Sequence, residues 1–328
     1  MRRPHVLKHK RGLVAGAAGL VVLAGLNAAL ARRAERRHPP KGAFVEAGGV
    51  RLHYTDQGAG RPVVLVHGNT VSGDDFATSG VTERLARTNR VIVFDRPGCG
   101  HSDRPRGRPW TMPQQAAVLR AALTQLGVHR PVIVGHSLGT LVALAMAEAH
   151  PEDTAGLVLA SGCYFPTLRL DVPPVAVVAI PGLGDALRYT ISPPLGWLLM
   201  PLFTRVLFSP APVTPRFRAE YAPSMVLRPS QIRATAMDGT VMVPGTVTLR
   251  GGYGAIAMPV TIMAGDGDKI VSPRHAERLH AAIPGSDLRI VGGAGHMLHH
   301  VAPAQVADAV ADVLRRSEDP AKPALAAA

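Results

Sequence analysis

Val132-Ile133-Val134-Gly135-His136-Ser137-Leu138-Gly139-Thr140, running on into Leu141-Val142-Ala143-Leu144-Ala145-Met146-Ala147, decides how this chain is read. A β-branched apolar run breaks at G-x-S-x-G and continues as an apolar helix-former. That order writes a strand, a sharp turn carrying a serine, and a helix. At such an elbow the serine is pushed out of the sheet, with its Oγ at the N-terminus of the following helix. Neighbouring backbone must pass close by, so Gly135 and Gly139 leave out the Cβ that would clash. The helix dipole favours negative charge developing beside Ser137. The five-residue pattern is common by itself. The strand before it and the helix after it give it weight.

Similar apolar runs recur outward from the elbow. Val63–Val66 ends in His67-Gly68-Asn69, and Val91–Phe94 ends in Asp95-Arg96-Pro97-Gly98-Cys99-Gly100-His101-Ser102. Leu157–Ala160, Val260–Ala264 and Leu288–Val291 read as further strands, and Phe44–Ala47 with Val50–Tyr54 as a hairpin turning at Gly48-Gly49. Helices are expected at 112–127, 138–149, 273–282 and 303–316. Strands that are apolar throughout and alternate with helices imply a mostly parallel sheet covered on both faces. From 164 to 249 the alternation stops. That segment is proline-rich and apolar, including Leu195-Gly196-Trp197-Leu198-Leu199-Met200-Pro201-Leu202-Phe203. It falls between two strands and so belongs at the sheet end where ligands bind, and it reads as a helical cap. The expected organisation is an anchor and basic linker over 1–41, core over 42–163, cap over 164–249, core again over 250–316, and a disordered tail over 317–328.

The net charge of +13 is concentrated at the N-terminus. Residues 1–41 hold ten Lys or Arg against one acid, Glu35, which leaves +4 for the rest. A mildly basic body argues against a nucleic-acid partner. The basic residues bracket Gly12–Ala31, twenty residues without a charge and with one polar side chain, Asn27. Such a helix is about 30 Å long, the thickness of a bilayer core. It reads as a single-pass membrane anchor over residues 12–31. The alternative is a secretory signal cleaved near Ala31, after Ala29-Leu30-Ala31. The arginines at 32, 33, 36 and 37 favour retention, and residues 32–43 read as a linker. Cys99 and Cys163 make no disulfide framework.

A serine nucleophile needs a base, an acid to orient the base, and donors for the oxyanion. Asp268 follows the 260–264 strand, and His296 follows the last strand within Gly292-Gly293-Ala294-Gly295-His296-Met297. The order Ser, Asp, His suits a sheet of this kind. Asp266 is the rival acid, or a turn residue satisfying local backbone. His299 and His300 invite a metal reading, but no second set of ligands at suitable spacing accompanies them. They read as helix-surface or cap-facing side chains, and no metal or cofactor is expected. His67 and Gly68 read as site-lining, His67 through a structural hydrogen bond. His136 also lines the site, and Asp95 and Ser102 support their loop.

These pieces together resemble the α/β-hydrolase fold superfamily, in its capped esterase, epoxide hydrolase and haloperoxidase-like branch. The resemblance rests on His67-Gly68-Asn69, the loop from Asp95 to Ser102, Gly135-His136-Ser137-Leu138-Gly139, Asp268 before Ile270-Val271, and Gly295-His296, and it spans 44–316. It implies an eight-stranded, mostly parallel sheet with a cap inserted between strands 6 and 7. It implies Ser137 as nucleophile, His296 as base, Asp268 as its partner, and the backbone N–H groups of Leu138 and Asn69 as oxyanion hole. A serine, rather than the carboxylate nucleophile of epoxide-opening relatives, points to an ester-like carbonyl in a hydrophobic small molecule. Perhydrolase (haloperoxidase-like), lactonase and carbon–carbon hydrolase activities share the same triad. A non-catalytic membrane-tethered module is the reading from another class.

Overall fold

The computed structural model describes all residues except 1–3, 169–174 and 319–328. Eight strands form one sheet in the order β1-β2-β4-β3-β5-β6-β7-β8. They are β1 (Ala43–Ala47), β2 (Val50–Gln57), β3 (Arg61–Val66), β4 (Asn89–Phe94), β5 (Val132–His136), β6 (Gly156–Ala160), β7 (Val260–Gly265) and β8 (Asp287–Val291). The β1–β2 hairpin pairs antiparallel with itself and with β4, and β3 to β8 run parallel. Every residue of β5, β6 and β7 is buried, as expected of strands covered on both faces. The helices α4 (Met112–Gln125), α5 (Leu138–Ala149) and α11 (Arg274–Ala282) cover one face. Two short helices unforeseen in the sequence, α2 (Asp74–Ser79) and α3 (Val81–Leu85), cover the other with α13 (Pro303–Glu318). Between α11 and α13 lies one further turn, α12 (Leu298–Val301).

Between β6 and β7 the chain leaves the sheet and is helical. The described part holds α6 (Leu183–Tyr189), α7 (Ser192–Phe208), α8 (Pro215–Glu220), α9 (Pro223–Val226) and α10 (Pro229–Leu249). The first residues of the expected cap, through 174, lie partly outside the described residues. The expected linker over 32–43 needs correction. Helix α1 runs unbroken from Pro4 to Arg37, so its last turns carry Arg32, Arg33, Arg36 and Arg37. The reason is tertiary: Ala34 is buried against the insertion, and Glu35 pairs with Arg228 at 2.8 Å. Its Ala15–Arg37 portion, 23 residues, is long and apolar enough to cross a membrane. The expected tail also begins later than 317. Ser317 and Glu318 close α13, because Arg61 donates to the Leu314 carbonyl (2.7 Å) and to Ser317 Oγ (2.8 Å). The remainder of that tail lies outside the described residues.

Candidate active site

The parallel strands deliver their following loops to one edge of the sheet, so residues far apart in sequence meet there. Ser137 sits between β5 and α5 with φ 52° and ψ −121°, a conformation costly for any residue with a Cβ. The surrounding glycines permit it. A Cβ on Gly139 would lie 2.1 Å from the Val66 carbonyl oxygen, and one on Gly135 would lie 2.6 Å from the Thr140 Cα. The β3 loop also passes close: a Cβ on Gly68 would stand 3.0 Å from the Ser137 Cβ.

His296 Nε2 lies 2.9 Å from Ser137 Oγ, and His296 Nδ1 lies 2.8 Å from Asp268 Oδ2. The other oxygen of Asp268 accepts the backbone N–H groups of Ile270 (2.8 Å) and Val271 (2.9 Å), which fixes the carboxylate. With Asp268 accepting, Nδ1 carries the proton and Nε2 is left to accept from the serine hydroxyl. The rival Asp266 points elsewhere and accepts the Gly293 N–H at 2.8 Å. Leu138 opens α5, where the helix offers its backbone N–H no internal acceptor. The Asn69 side chain donates to the Thr235 carbonyl on α10 (3.1 Å), so that side chain is committed to the insertion.

Both other histidines near the elbow are neutral structural groups. His67 Nε2 accepts the Arg96 N–H (2.9 Å), so its Nδ1–H donates to the Gly68 carbonyl (2.7 Å). Burial, helped by the Arg96 charge, lowers its pKa to about 4. His136 donates from Nε2 to the His296 carbonyl (3.0 Å), and burial followed by His299 and His296 holds it well below the ordinary imidazole range.

Three groups escaped the sequence reading. Arg96, fully buried, donates to the carbonyls of His67 and Gly68 (2.9 Å each) and to Asp238 on α10 (2.6 Å). Asp238 also takes Arg104 (2.7 Å) and Gln115 (3.1 Å). Together they clamp the 67–69 loop between sheet and insertion. The third is Asp75, on α2. It corrects the surface reading of His299 and His300, which are buried and place their Nε2 atoms 2.7 and 2.8 Å from its two oxygens. Burial raises the Asp75 carboxyl, but the histidines, His299 foremost, outweigh it and hold it well below the usual range. His299 is itself lowered, mainly by burial. The two imidazoles thus bracket one carboxylate, each through its Nε2. Two His and one Asp are donors of the kind that hold a divalent ion, but here each Nε2 is already committed to the carboxylate. The ring of His299 lies 4.2 Å from that of His136, so this cluster buttresses the elbow from behind.

A cavity of about 340 Å³ opens above Ser137 and His296. Its floor includes His136, Ser137, Leu138 and Asn69, and its walls include Leu141, Cys163, Ile270 and Val271. The insertion contributes Val175, Phe203, Leu207, Thr235 and Met242. No Lys or Arg stands among these lining residues.

Residues 61–303 match the family of the α/β hydrolase fold. The chain belongs to that family. A Mycobacterium tuberculosis protein of uncharacterised role is 31% identical over 300 residues, covering 87% of this chain and 83% of its own length. The 2-hydroxymuconate semialdehyde hydrolase of Pseudomonas putida is 29% identical over 270 residues, 80% of this chain and 90% of that enzyme. Among solved structures, a thermophilic esterase from Thermogutta terrifontis superposes with a TM-score of 0.67 at 25% identity, over 84% of this chain and 98% of the esterase. Fold and relatives together make this protein a hydrolase.

Proposed function

We propose that this hydrolase is a membrane-anchored serine esterase acting on an ester-like carbonyl with a hydrophobic acyl group. The observation that carries the reading is the continuous line from Asp268 through His296 to Ser137, at 2.8 and 2.9 Å, on the floor of an apolar cavity. His296 Nε2 takes the hydroxyl proton as Ser137 Oγ attacks the carbonyl carbon. Asp268 holds the imidazole in the required tautomer and stabilises the imidazolium that forms. The N–H groups of Leu138 and Asn69 receive the oxyanion, and Arg96 keeps the second of these in place by holding the His67 and Gly68 carbonyls. His296 returns the proton to the leaving alcohol, and water then opens the acyl-enzyme by the same route. The helical insertion acts as a cap, shaping the acyl pocket with Phe203, Leu207 and Met242. A carboxylate substrate of the kind named for the Pseudomonas relative would meet no cation among the described lining residues, which favours a neutral ester.

The anchor is α1, whose uncharged stretch is flanked by arginines on the side of the catalytic domain. A fluorophosphonate probe tests the chemistry, since only an activated serine reacts. The full chain is expected to label and to hydrolyse p-nitrophenyl esters, and Ser137→Ala to do neither. Unchanged labelling of that variant would overturn the assignment.

A further inference from the structure

Helix α1 does not stand clear of the catalytic domain. Asn27, its one polar side chain within the apolar stretch, is buried. Its amide donates to the carbonyls of Tyr189 (2.9 Å) and Thr190 (3.0 Å), where α6 ends and α7 begins. Those two helices meet at 64°, which frees carbonyls for Asn27 to satisfy. The depth of this contact matters. Asn27 lies five residues before Arg32, about 7 Å along the helix, on the apolar side of the arginine cluster. If α1 spans a bilayer, the α6–α7 corner is carried below the headgroups with it.

The surface at that corner is built for such a place. Ile191 at the bend is 51% exposed, and on α7 Leu195, Leu198 (75% exposed) and Leu202 (62%) fall at i, i+3 and i+7, one face of a helix. Leu183 on α6 is exposed as well. The only charged side chain of α7 is Arg205, near its far end. Trp197 is half exposed and borders a groove shared with Leu30, Ala31, Arg33 and Arg37 of α1, between the apolar stretch and the arginines, where an interfacial aromatic sits. The exposed Arg32, Arg33, Arg36 and Arg37 stand at headgroup level on the same helix. Phe203 and Val175 line the catalytic cavity and are also exposed, so the cavity wall is continuous with this surface.

We propose that the α6–α7 corner and the outer face of α7 insert into the bilayer leaflet beside α1, and that the cavity takes its ester from the lipid phase. This rests on α1 spanning the membrane. The occupant of the face is therefore lipid, and a second copy of the chain is the competing outcome.

The chain has two tryptophans, Trp197 and the buried Trp110, so Trp197 reports on the face. The full-length protein is reconstituted in phosphatidylcholine–phosphatidylglycerol vesicles with and without acyl-chain-brominated phosphatidylcholine. Trp197 emission is expected to drop at least twofold with brominated lipid, and the W197F variant to show no such drop. A second arm uses Leu198→Glu/Leu202→Glu. This variant is expected to stay with the vesicles after alkaline carbonate and to keep its rate on water-soluble p-nitrophenyl acetate. Its rate on a long-chain diacylglycerol held in the bilayer is expected to fall at least tenfold. Trp197 unquenched in a carbonate-resistant protein would overturn the docking while leaving the anchor intact. Unquenched Trp197 together with Leu198→Cys disulfide-linked dimers would assign the face to a second copy. Release of the wild type by carbonate would defeat the anchor reading and the docking together.

Discussion

Beneath the cavity, between the ends of β3, β4, β5 and β8, charged and polar side chains are packed away from water. Above it, α7 turns leucines outward. Below, His67, Arg96 and Asp75 are buried, each held by at least two partners, and Asp238 on α10 reaches down to join them. Above, Leu195, Leu198 and Leu202 lie exposed along one helix. The sheet edge commits its buried hydrogen bonds to geometry, which holds Ser137, His296 and Asp268 in line. The outer face of the insertion has no such duty, and its apolar surface has meaning only against something apolar. The sheet edge is thus held by buried polar contacts, while the outer face of the insertion is apolar and exposed.

This contrast can be broken or sharpened by substitution. Ser137→Ala carries the largest expected effect, a loss of ester turnover on the order of 10⁴-fold or more with folding retained, read by steady-state kinetics beside a thermal melt. Asp238→Ala comes next. It leaves Arg96 and Arg104 buried without their carboxylate, and unfolding should become easier by about 3–5 kcal/mol in denaturant titration. Turnover should fall with it, since Arg96 holds the 67–68 carbonyls. If Asp238→Ala unfolds normally, the clamp between floor and cap is not structural.

Acid should act on the floor and spare the cap. His67 is lowered from 6.5 to about 4, so the folded state resists a proton that the unfolded chain accepts. Stability contributed by neutral His67 is therefore complete above pH 6.5 and lost progressively as pH falls towards 4, by about 3 kcal/mol at the lower end. The carboxylates of Asp75, Asp95 and Asp238 are held low and add their losses only below about 3.8. Unfolding midpoints measured across pH 4–7 should decline over the histidine range first, and His67→Asn should flatten that decline. The smallest effect belongs to the cap. In detergent, Leu198→Glu should change stability by less than about 0.5 kcal/mol, because the side chain is 75% exposed and has little packing to lose.

Much of the floor was legible because a strand and the residue just past its end are neighbours in sequence. The runs ending at Val66, Phe94, Val134, Ala160, Ala264 and Val291 each announced a strand, and the loop after each brought its chemistry to a common edge. Helix α5 begins and ends where the elbow reading placed it. The misses have a common form. His299 and His300 looked like surface residues because Asp75 is 224 positions away from His299. Arg96 drew no reading at all, because Asp238 is 142 positions off. Residues 32–37 looked like linker, since nothing nearby in sequence shows that Ala34 and Glu35 rest on the insertion.

The sequence by itself determined the parallel sheet, the strained serine turn, the order of serine, aspartate and histidine, and an apolar N-terminal helix edged with arginine. Each depends on a local pattern: periodicity, a glycine beside a turn, or a run without charge. The tertiary structure alone decided which carboxylate faces His296, that two histidines share Asp75, that Arg96 joins floor to cap, and that Asn27 fixes α1 to the α6–α7 corner. Burial makes an unpaired polar group costly, so each of these side chains had to find a partner. Those partners were brought near by the packing of the sheet and its helices, which short-range pattern does not encode.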